Sequence, residues 1–421
     1  MAYQTLGDGM DFIFQKTEKF KTTLLSVNFY TPVTEANAAV NAILPYLLIG
    51  GTPEYPDYAA INHQLDMLYG AELTCKIRLL GDIRQTTIQL AVINDAYAGS
   101  DLLQAAASFL HQVLFARLAD GYGFKEAELA REKRLLCQQI ESWKNNKRAY
   151  ACQKAMEQLF AGEPAGIHRL GTTGAVTALT AADVFSAYKA LLQTARVRIT
   201  AVGAALPEGF IDQCTAGFTA AGRAYQPLPE DIVTRCDAPR TVIERMPVTQ
   251  GKIVLGFCGG TGGSSMETLP FYVMADLLGG GPYSNLFLNV REKQSLCYYC
   301  AASAIRPQGA LLVDSGIDPA NAERVKTAVL AEVEALAKGD FTAEQLQTSQ
   351  RALFDGLQSL RDDQLAIESF LSLPFREWEE PSLTAFAEGV TNVTAAQVQA
   401  AAAALRLKTV YILLPEEGAE Q

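Results

Sequence analysis

The strongest constraint on the fold is an internal repeat, because two halves of the chain present the same order of predicted elements. In the first half a predicted strand, FKTTLLSVNFY (20–30), precedes a helix and a second strand, TTIQLAVI (86–93). Two long amphipathic helices follow at 100–118 and 124–143. The half closes with a capped helix, LTAADVFSAYKALL, and a strand, RVRITAVG.

The same order of elements recurs from residue 241. The strand QGKIVLGFCGG leads to the helix METLPFYVMADLLGGG, the strand GALLVDSGI and the helix NAERVKTAVLAEVEALAKG. The next helix (341–360) matches the helix at 124–143, and VTAAQVQAAAAAL and LKTVYILLP close the half. Each copy needs its own helices to cover the apolar face of its sheet. We therefore predict the α+β class, with two homologous α/β sandwich-like domains in which mostly antiparallel sheets are flanked by helices.

The domain boundaries are predicted from a change in composition near the middle of the chain. With 421 residues, the chain exceeds what one hydrophobic core usually serves. The stretch GRAYQPLPEDIVTRCDAPR is rich in proline and charge and has no clear periodicity. We predict an N-terminal domain at 1–221, a linker at 222–240 and a C-terminal domain at 241–421.

The charge balance argues against anionic partners. The net charge of −11 repels phosphate backbones and anionic lipid surfaces. The chain starts with MAYQTLGDGMDF, which does not resemble a secretory signal, and it has no apolar run of the ~18–20 residues that span a bilayer. We expect a cytoplasmic protein that binds neither nucleic acid nor membrane.

The eight cysteines are predicted to be reduced. Six of them lie singly in apolar patterns typical of a core: Cys75, Cys137, Cys152, Cys214, Cys236 and Cys258. Cys297 and Cys300 have the CxxC spacing of a redox pair or half a zinc site. Because their segment has the pattern of a strand, we predict that the two side chains point to opposite faces of a sheet.

A proline interrupts the predicted helix that contains NAILPYLLIGGT (41–52). Thr34 is placed to cap this helix, and its apolar residues have the spacing of a core-facing stripe: Ala38, Val40, Ile43, Leu44, Leu47 and Leu48. Pro45 removes a hydrogen bond and clashes with the preceding turn, at a cost of roughly 3 kcal/mol. A proline is therefore not expected inside a helix that must hold catalytic side chains in register.

The repeat and one segment of its second copy resemble a known family. Residues 277–299, which include the sequence LGGGPYSNLFLNVREKQSLCYY, combine a Gly-rich turn, a helix that ends Arg-Glu-Lys and the start of a strand. From about residue 20 to 415 the chain resembles the insulinase/pitrilysin/mitochondrial-processing-peptidase family of zinc metallopeptidases.

The resemblance implies that the zinc site of that family is lost. Active members carry His-x-x-Glu-His on the first long helix, followed by an apolar run and Gly-Thr, and a later glutamate completes the ligands. Aligned on LLIGGT, the corresponding positions here are Ala42, Pro45 and Tyr46, and the later ligand position is Gln139, preceded by Glu132. These residues cannot bind and activate a metal. We expect no metal, no cofactor and no catalytic residue in this chain.

The three histidines do not restore a metal motif. His63 is predicted to face solvent, His111 lies on the polar side of its helix, and His168 lies in a loop. Their sequence positions are far apart and lack paired spacing, so a three-histidine site is the less favoured alternative.

A substrate-binding pair is retained in the second copy. In the family, an arginine and a tyrosine spaced as in REKxxLxY contact the substrate backbone and help to stabilise the oxyanion, and here they match Arg291 and Tyr298. The structural alternatives are that Arg291 satisfies a helix dipole and that Tyr298 packs in a sheet.

These features predict a catalytically inactive peptidase homologue. We expect it to pair with a zinc-containing homologous subunit as a heterodimer, or with itself when that partner is missing, and to contribute Arg291 and Tyr298 to a peptide-processing chamber. One alternative is a scaffold or interaction protein without a peptidase role. A less favoured alternative is an active zinc peptidase with unusual ligands.

Overall fold

The computed structural model describes residues 1–99, 101–119, 123–229, 235–263, 265–373 and 382–416. The strands are β1 (Ala2–Gly7), β2 (Met10–Lys16), β3 (Thr22–Pro32), β4 (Glu72–Leu80), β5 (Ile83–Ile93), β6 (Arg196–Gly203), β7 (Arg240–Met246), β8 (Gly251–Cys258), β9 (Cys297–Ile305), β10 (Ala310–Ile317) and β11 (Arg406–Pro415).

The helices are α1 (Glu35–Ile49), α2 (Tyr58–Met67), α3 (Asp95–Ala98), α4 (Leu102–Ala119), α5 (Glu126–Ser142), α6 (Lys147–Leu159), α7 (Thr173–Ala178), α8 (Ala181–Thr194), α9 (Phe210–Ala220), α10 (Leu269–Gly279), α11 (Ala322–Lys338), α12 (Ala343–Ser359), α13 (Gln364–Leu371), α14 (Leu383–Thr391) and α15 (Ala395–Ala404). A π-helix spans Leu286–Lys293. Short 3₁₀ turns lie at Trp143–Asn145, Pro164–Gly166, Met266–Thr268, Arg306–Gln308, Pro319–Asn321 and Leu360–Asp362.

The chain forms two compact units, each assembled from three segments. The first unit consists of Met1–Glu141, Ile167–Pro229 and Arg361–Leu373, and the second consists of Ser142–Gly166, Glu230–Leu360 and Pro374–Gln421.

Apart from the additional edge strand β1 of the first sheet, the two sheets have the same strand order, as the sequence repeat predicts. The first sheet has the order β1-β2-β6-β3-β5-β4, and the second has the order β7-β11-β8-β10-β9. In each sheet one equivalent pair is parallel, β2 with β6 and β7 with β11, whereas the following pairs are antiparallel. The predicted α+β class with mostly antiparallel, helix-flanked sheets is confirmed.

Helix α1 forms as predicted and runs through its proline. The Thr34 side chain accepts a hydrogen bond from the Asn37 backbone N–H at 3.2 Å, which caps the helix start. The predicted apolar stripe is buried in the core of the first unit. At roughly 1.5–3 kcal/mol for each buried side chain, this packing offsets the penalty of Pro45.

Each unit takes a helix from the other half of the sequence. Helix α6 packs on the second sheet, where the Tyr150 hydroxyl donates to Glu244 at 2.8 Å. Helix α13 packs on the first sheet, where the Gln364 side-chain amide donates to the Val202 carbonyl at 2.7 Å. Each sheet therefore takes one covering helix from outside its own sequence repeat. The domains 1–221 and 241–421 describe the two repeats and remain a prediction from the sequence.

The described part of the predicted linker 222–240 begins as an ordered segment of the first unit. The Arg223 guanidinium donates to the Leu192 carbonyl at 2.9 Å, and the Ala224 N–H donates to the Gln193 carbonyl at 2.9 Å. Residues 230–234 lie outside the described residues.

The expectation that every cysteine is reduced is wrong for one pair. Cys236 and Cys258 form a disulfide with their Cα atoms 5.8 Å apart, because the chain before β7 lies beside the end of β8. The other four singly placed cysteines are free thiols in buried or half-buried positions: Cys75, Cys137, Cys152 and Cys214.

Among the described residues, none of the helices combines the length and apolar character needed to cross a lipid bilayer.

Candidate functional site

Helices α1 and α5 bring two of the predicted former ligand positions together. The side chains of Tyr46 and Gln139 form a hydrogen bond, and burial raises the pKa of the Tyr46 hydroxyl. Ala42 is fully buried and Pro45 is also buried. A methyl group, a pyrrolidine ring, a phenol and a neutral amide do not fit a zinc ion, which needs imidazole, thiolate or carboxylate ligands.

The carboxylate of Glu132, which acts electrostatically on Tyr46, already has partners. Glu132 is 4% exposed and accepts hydrogen bonds from the Arg131 guanidinium at 3.0 Å and the Tyr58 hydroxyl at 3.5 Å. The Arg131 guanidinium also lies 4.3 Å from the centre of the Tyr58 ring. Burial, reinforced by the charge of Glu132, raises the pKa of Tyr58 to about 12. Glu132 is therefore part of an ion pair with a cation–π contact.

The sheet under α1 contributes the thiol of Cys75, which the sequence analysis placed in the core, and one polar group that the sequence analysis missed, Arg84. Burial and the charge of Glu132 raise the pKa of the Cys75 thiol to about 12, so Cys75 is a neutral thiol. Arg84 is fully buried at the start of β5. The burial of Arg84 could have been predicted from the sequence. Alternate residues of a strand face the same side, so Arg84 faces the same side as Ile88 and Leu90, which lie in the core.

The histidines are dispersed. His63 is exposed, as predicted, and His111 packs its ring 4.8 Å from the ring of Phe115. His168 lies in a loop, where its ring nitrogen accepts from the Leu170 N–H at 3.2 Å. Across the described ranges, no group of three His, Cys, Asp or Glu side chains is arranged to hold a metal ion.

In the second unit, Arg291 and Tyr298 flank a tight turn between the π-helix and β9. Ser295 has φ +50°, and its N–H donates to the Arg291 carbonyl at 3.1 Å. Arg291 is 40% exposed, and its guanidinium lies 4.6 Å from the centre of the Phe287 ring and 3.7 Å from the Glu292 carboxylate. The turn thus leaves the guanidinium at the surface.

Tyr298 is the extra residue of a β-bulge. Gly316 of β10 pairs with Tyr299, and the next residue, Ile317, pairs with Cys297. Tyr298 therefore has no pairing partner on β10. A bulge re-aims the side chain of its extra residue. Accordingly, the Tyr298 side chain is 61% exposed.

The same bulge overturns the prediction for the two neighbouring cysteines. In a regular strand Cys297 and Cys300 would point to opposite faces, but the extra residue brings their thiols into hydrogen-bonding contact. The hydrogen bond from Cys300, with contributions from Ser315 and the charge of Arg291, lowers the pKa of Cys297 to about 7. The prediction of opposite faces is wrong, because it assumed an unbroken alternation.

The chain has two sheets of equivalent strand order, and the residues at the predicted metal positions are not metal ligands. This combination is that of a zinc metallopeptidase fold without the zinc motif. Residues 178–353 match the family model described as Peptidase M16 inactive domain. M16 is the peptidase family of insulinase and pitrilysin, so the predicted resemblance is confirmed.

Individual relatives lead to the same class. The chain is 27% identical to the "Probable inactive metalloprotease YmfF" of Bacillus subtilis (strain 168), over 96% of this chain and 95% of the relative. Its fold matches a conserved protein from Enterococcus faecalis V583 with TM-score 0.87 and 24% identity, over 100% and 99% of the two chains. It also matches the peptidase M16 inactive domain from Pseudomonas fluorescens with TM-score 0.78 and 19% identity, again over 100% and 99%. The chain is thus similar, over nearly its whole length, to an inactive M16 peptidase homologue.

Proposed function

We propose that this chain is the non-catalytic subunit of a peptidase and that it pairs with a homologous subunit bearing an intact zinc motif. In this proposal the partner supplies the metal and the general base. The present chain helps to enclose the peptide and contributes Arg291 and Tyr298 to its binding. Without the zinc subunit, two copies of this chain would pair instead.

The observation that supports this role is the exposure of Tyr298 at the bulge. A tyrosine at the start of a strand would normally pack in the sheet, but this one lies largely in solvent on β9, the last strand of its sheet. Arg291 is also exposed, at the end of the preceding helix. Two exposed hydrogen-bond donors beside an edge strand suit the backbone of an extended peptide.

The chemistry expected of the pair follows from its functional groups. A guanidinium remains charged at any physiological pH, and a phenol donates one hydrogen bond. Both interactions strengthen when a carbonyl oxygen gains negative charge during peptide hydrolysis. The loss of metal ligands in α1 and α5 is compatible with this role, because the pair acts on the substrate rather than on the metal.

The proposal is tested by mixing this chain with an M16 homologue that has an intact zinc motif and is encoded in the same genome. Peptide cleavage should be low for each chain alone and should rise on mixing, and the two chains should co-elute from a size-exclusion column. Co-elution without a gain in cleavage would instead favour the scaffold alternative. If the mixture shows neither co-elution nor a gain in cleavage, the proposal is overturned.

Substitution of the pair sharpens the test. In the mixture, Arg291→Ala should lower kcat/KM by about 10²–10³, as expected when one oxyanion donor is removed. The control is Arg351→Ala on α12, where the side chain is 84% exposed and lies 3.9 Å from Asp355. Equal activity of the two variants would assign Arg291 a structural role only.

A further inference from the structure

The edge strand of the second unit carries two thiols on the same face. The ladder pairs Cys297 with Ile317 and Cys300 with Ser315. Ile317 and Ser315 are alternate residues of β10, so their partners on β9 face the same side of the sheet. The extra residue Tyr298 makes this arrangement possible, because residues three apart in a regular strand face opposite sides.

The spacing of Cys297 and Cys300 suits a covalent bond between them. Alternate positions along a strand lie roughly 6.5 Å apart, and a disulfide spans Cα separations of about 4.4–6.8 Å. The two thiols also form a hydrogen bond with each other, which brings their sulfur atoms close together. The pair can therefore close into a disulfide without a large movement of the backbone.

The two thiols differ in their access to solvent. Cys297 begins β9 and is half-buried, whereas Cys300 is 7% exposed. The next residue of β9 on the face of Cys300 is Ala302, which lies against the end of α10, since a Cβ on Gly279 would lie 2.7 Å from the Ala302 Cβ. A reagent in solution therefore reaches Cys297 before it reaches Cys300.

Cys297 is also the more reactive of the two thiols. The hydrogen bond from Cys300, with contributions from Ser315 and the charge of Arg291, lowers the pKa of Cys297 to about 7. The same hydrogen bond and burial raise the pKa of Cys300. A thiol whose pKa lies near the ambient pH combines a large thiolate fraction with good nucleophilicity, so it is the better attacking group in thiol–disulfide exchange.

We propose that Cys297 and Cys300 form a redox site that is oxidised by small disulfides and closes into an intramolecular disulfide beside Tyr298. The Cys297 thiolate attacks one sulfur of the small disulfide, which forms a mixed disulfide and releases the first small thiolate. The Cys300 sulfur then attacks the Cys297 sulfur, its proton passes to the departing group, and the second small thiol leaves. The two cysteines thus lose two electrons and two protons, and the small disulfide is reduced to two thiols.

The test uses the reduced full-length chain alone, so it does not depend on the proposed partner. The probe is bis(2-hydroxyethyl) disulfide, which is small and uncharged, and the reaction is stopped with N-ethylmaleimide. Both cysteines lie in one tryptic peptide, because no Lys or Arg separates them. Mass spectrometry of this peptide should show the loss of two hydrogen atoms in the wild type. Cys300→Ser should instead retain one half of the probe on Cys297, and Cys297→Ser should react at least about tenfold more slowly.

A matched control moves the second thiol to the other face of β9. Ala301 pairs with Asp314, one position from Ser315, so it faces the opposite side from Cys300. The double variant Cys300→Ser, Ala301→Cys keeps two thiols in the strand but should stop at the mixed disulfide. If Cys300→Ser does not fold, Cys300→Ala takes its place in both variants.

Three outcomes would overturn the proposal. The first is a wild type that does not react at Cys297. The second is a wild type that stops at the mixed disulfide, as Cys300→Ser should. The third is closure of the double variant at the rate of the wild type, which would mean that the shared face of Cys297 and Cys300 has no effect on the reaction.

Discussion

The two units share one topology but place their polar chemistry differently. The first unit buries it: Asp11 bonds to Arg196 and Arg198 within the sheet, and Arg84 lies unpaired under α1. The second unit displays it on an edge strand, where Tyr298 projects from a bulge beside Arg291. In a duplicated fold, one copy can therefore lose its chemical motif and retain buried charge, while the other keeps groups accessible to a ligand.

The largest effect expected from this comparison is on stability, at the buried ion pairs of the first unit. The Asp11 carboxylate contacts the Arg196 guanidinium at 2.5 Å and the Arg198 guanidinium at 2.8 Å, with Asp11 and Arg198 fully buried. Asp11→Asn removes the carboxylate charge that pairs with two buried cations, so the free energy of unfolding should fall by about 3–5 kcal/mol. Urea unfolding monitored by circular dichroism measures this change.

The control for Asp11→Asn is a surface ion pair of the same unit. Asp362 contacts Lys19 with its side chain 70% exposed, so Asp362→Asn should change the free energy of unfolding by less than about 1 kcal/mol. If the free energy of unfolding falls equally in the two variants, the buried ion pairs of the first unit contribute no more to stability than a surface ion pair does.

The next effect concerns reactivity at the edge strand of the second unit. With a pKa of about 7, Cys297 is about half thiolate at pH 7, whereas burial raises the pKa of Cys152 to about 12. Iodoacetamide should therefore label Cys297 at least about 100-fold faster than Cys152, as measured by peptide mass spectrometry.

The control for this labelling is Cys300→Ala, which removes the hydrogen bond that contributes most to the lowered pKa of Cys297. In that variant the midpoint of the pH–rate profile of Cys297 should move upward from about pH 7. A midpoint above pH 8.5 in the wild type would contradict the bulge geometry.

The smallest effect compares the prolines in the equivalent helices α1 and α10. Pro45 lies inside α1, whereas Pro270 lies in the first turn of α10, where no backbone donor is needed. Pro45→Ala should raise the free energy of unfolding by about 1–3 kcal/mol, and Pro270→Ala should change it by less than about 0.5 kcal/mol. Destabilisation by Pro45→Ala would mean that packing of the buried ring exceeds the backbone penalty.

Local patterns were sufficient to predict the elements and their repetition. The apolar stripe and the Thr34 cap predict α1, and the matching helices at 124–143 and 341–360 correspond to α5 and α12. The equivalent strand orders then follow from one repeated pattern of periodicities. These features depend on residues close together in sequence, so a single sequence contains the needed information.

The missed features depend on distant partners. The bulge at Tyr298 exists only in register with Gly316 and Ile317, and without it the alternation of Cys297 and Cys300 is misjudged. Arg84 was within reach of pattern analysis, but its lack of a hydrogen-bonding partner is a property of the folded environment. Likewise, the amphipathic pattern of α6 or α13 shows that each helix packs on something without showing which sheet it covers.

The exchange of helices has a consequence for biosynthesis. When ribosomes have completed the strands of the first sheet, the segment Arg361–Leu373 that belongs to this unit has yet to emerge. Until then the carbonyls of Leu371 and Leu373, which accept hydrogen bonds from the buried Arg198, are missing, as is the Glu368 carboxylate that accepts from Asn28. The first unit therefore cannot complete its fold until this later segment has been synthesised. For the same reason, a single proteolytic cut between the repeats cannot yield two fragments that each contain every segment of one unit.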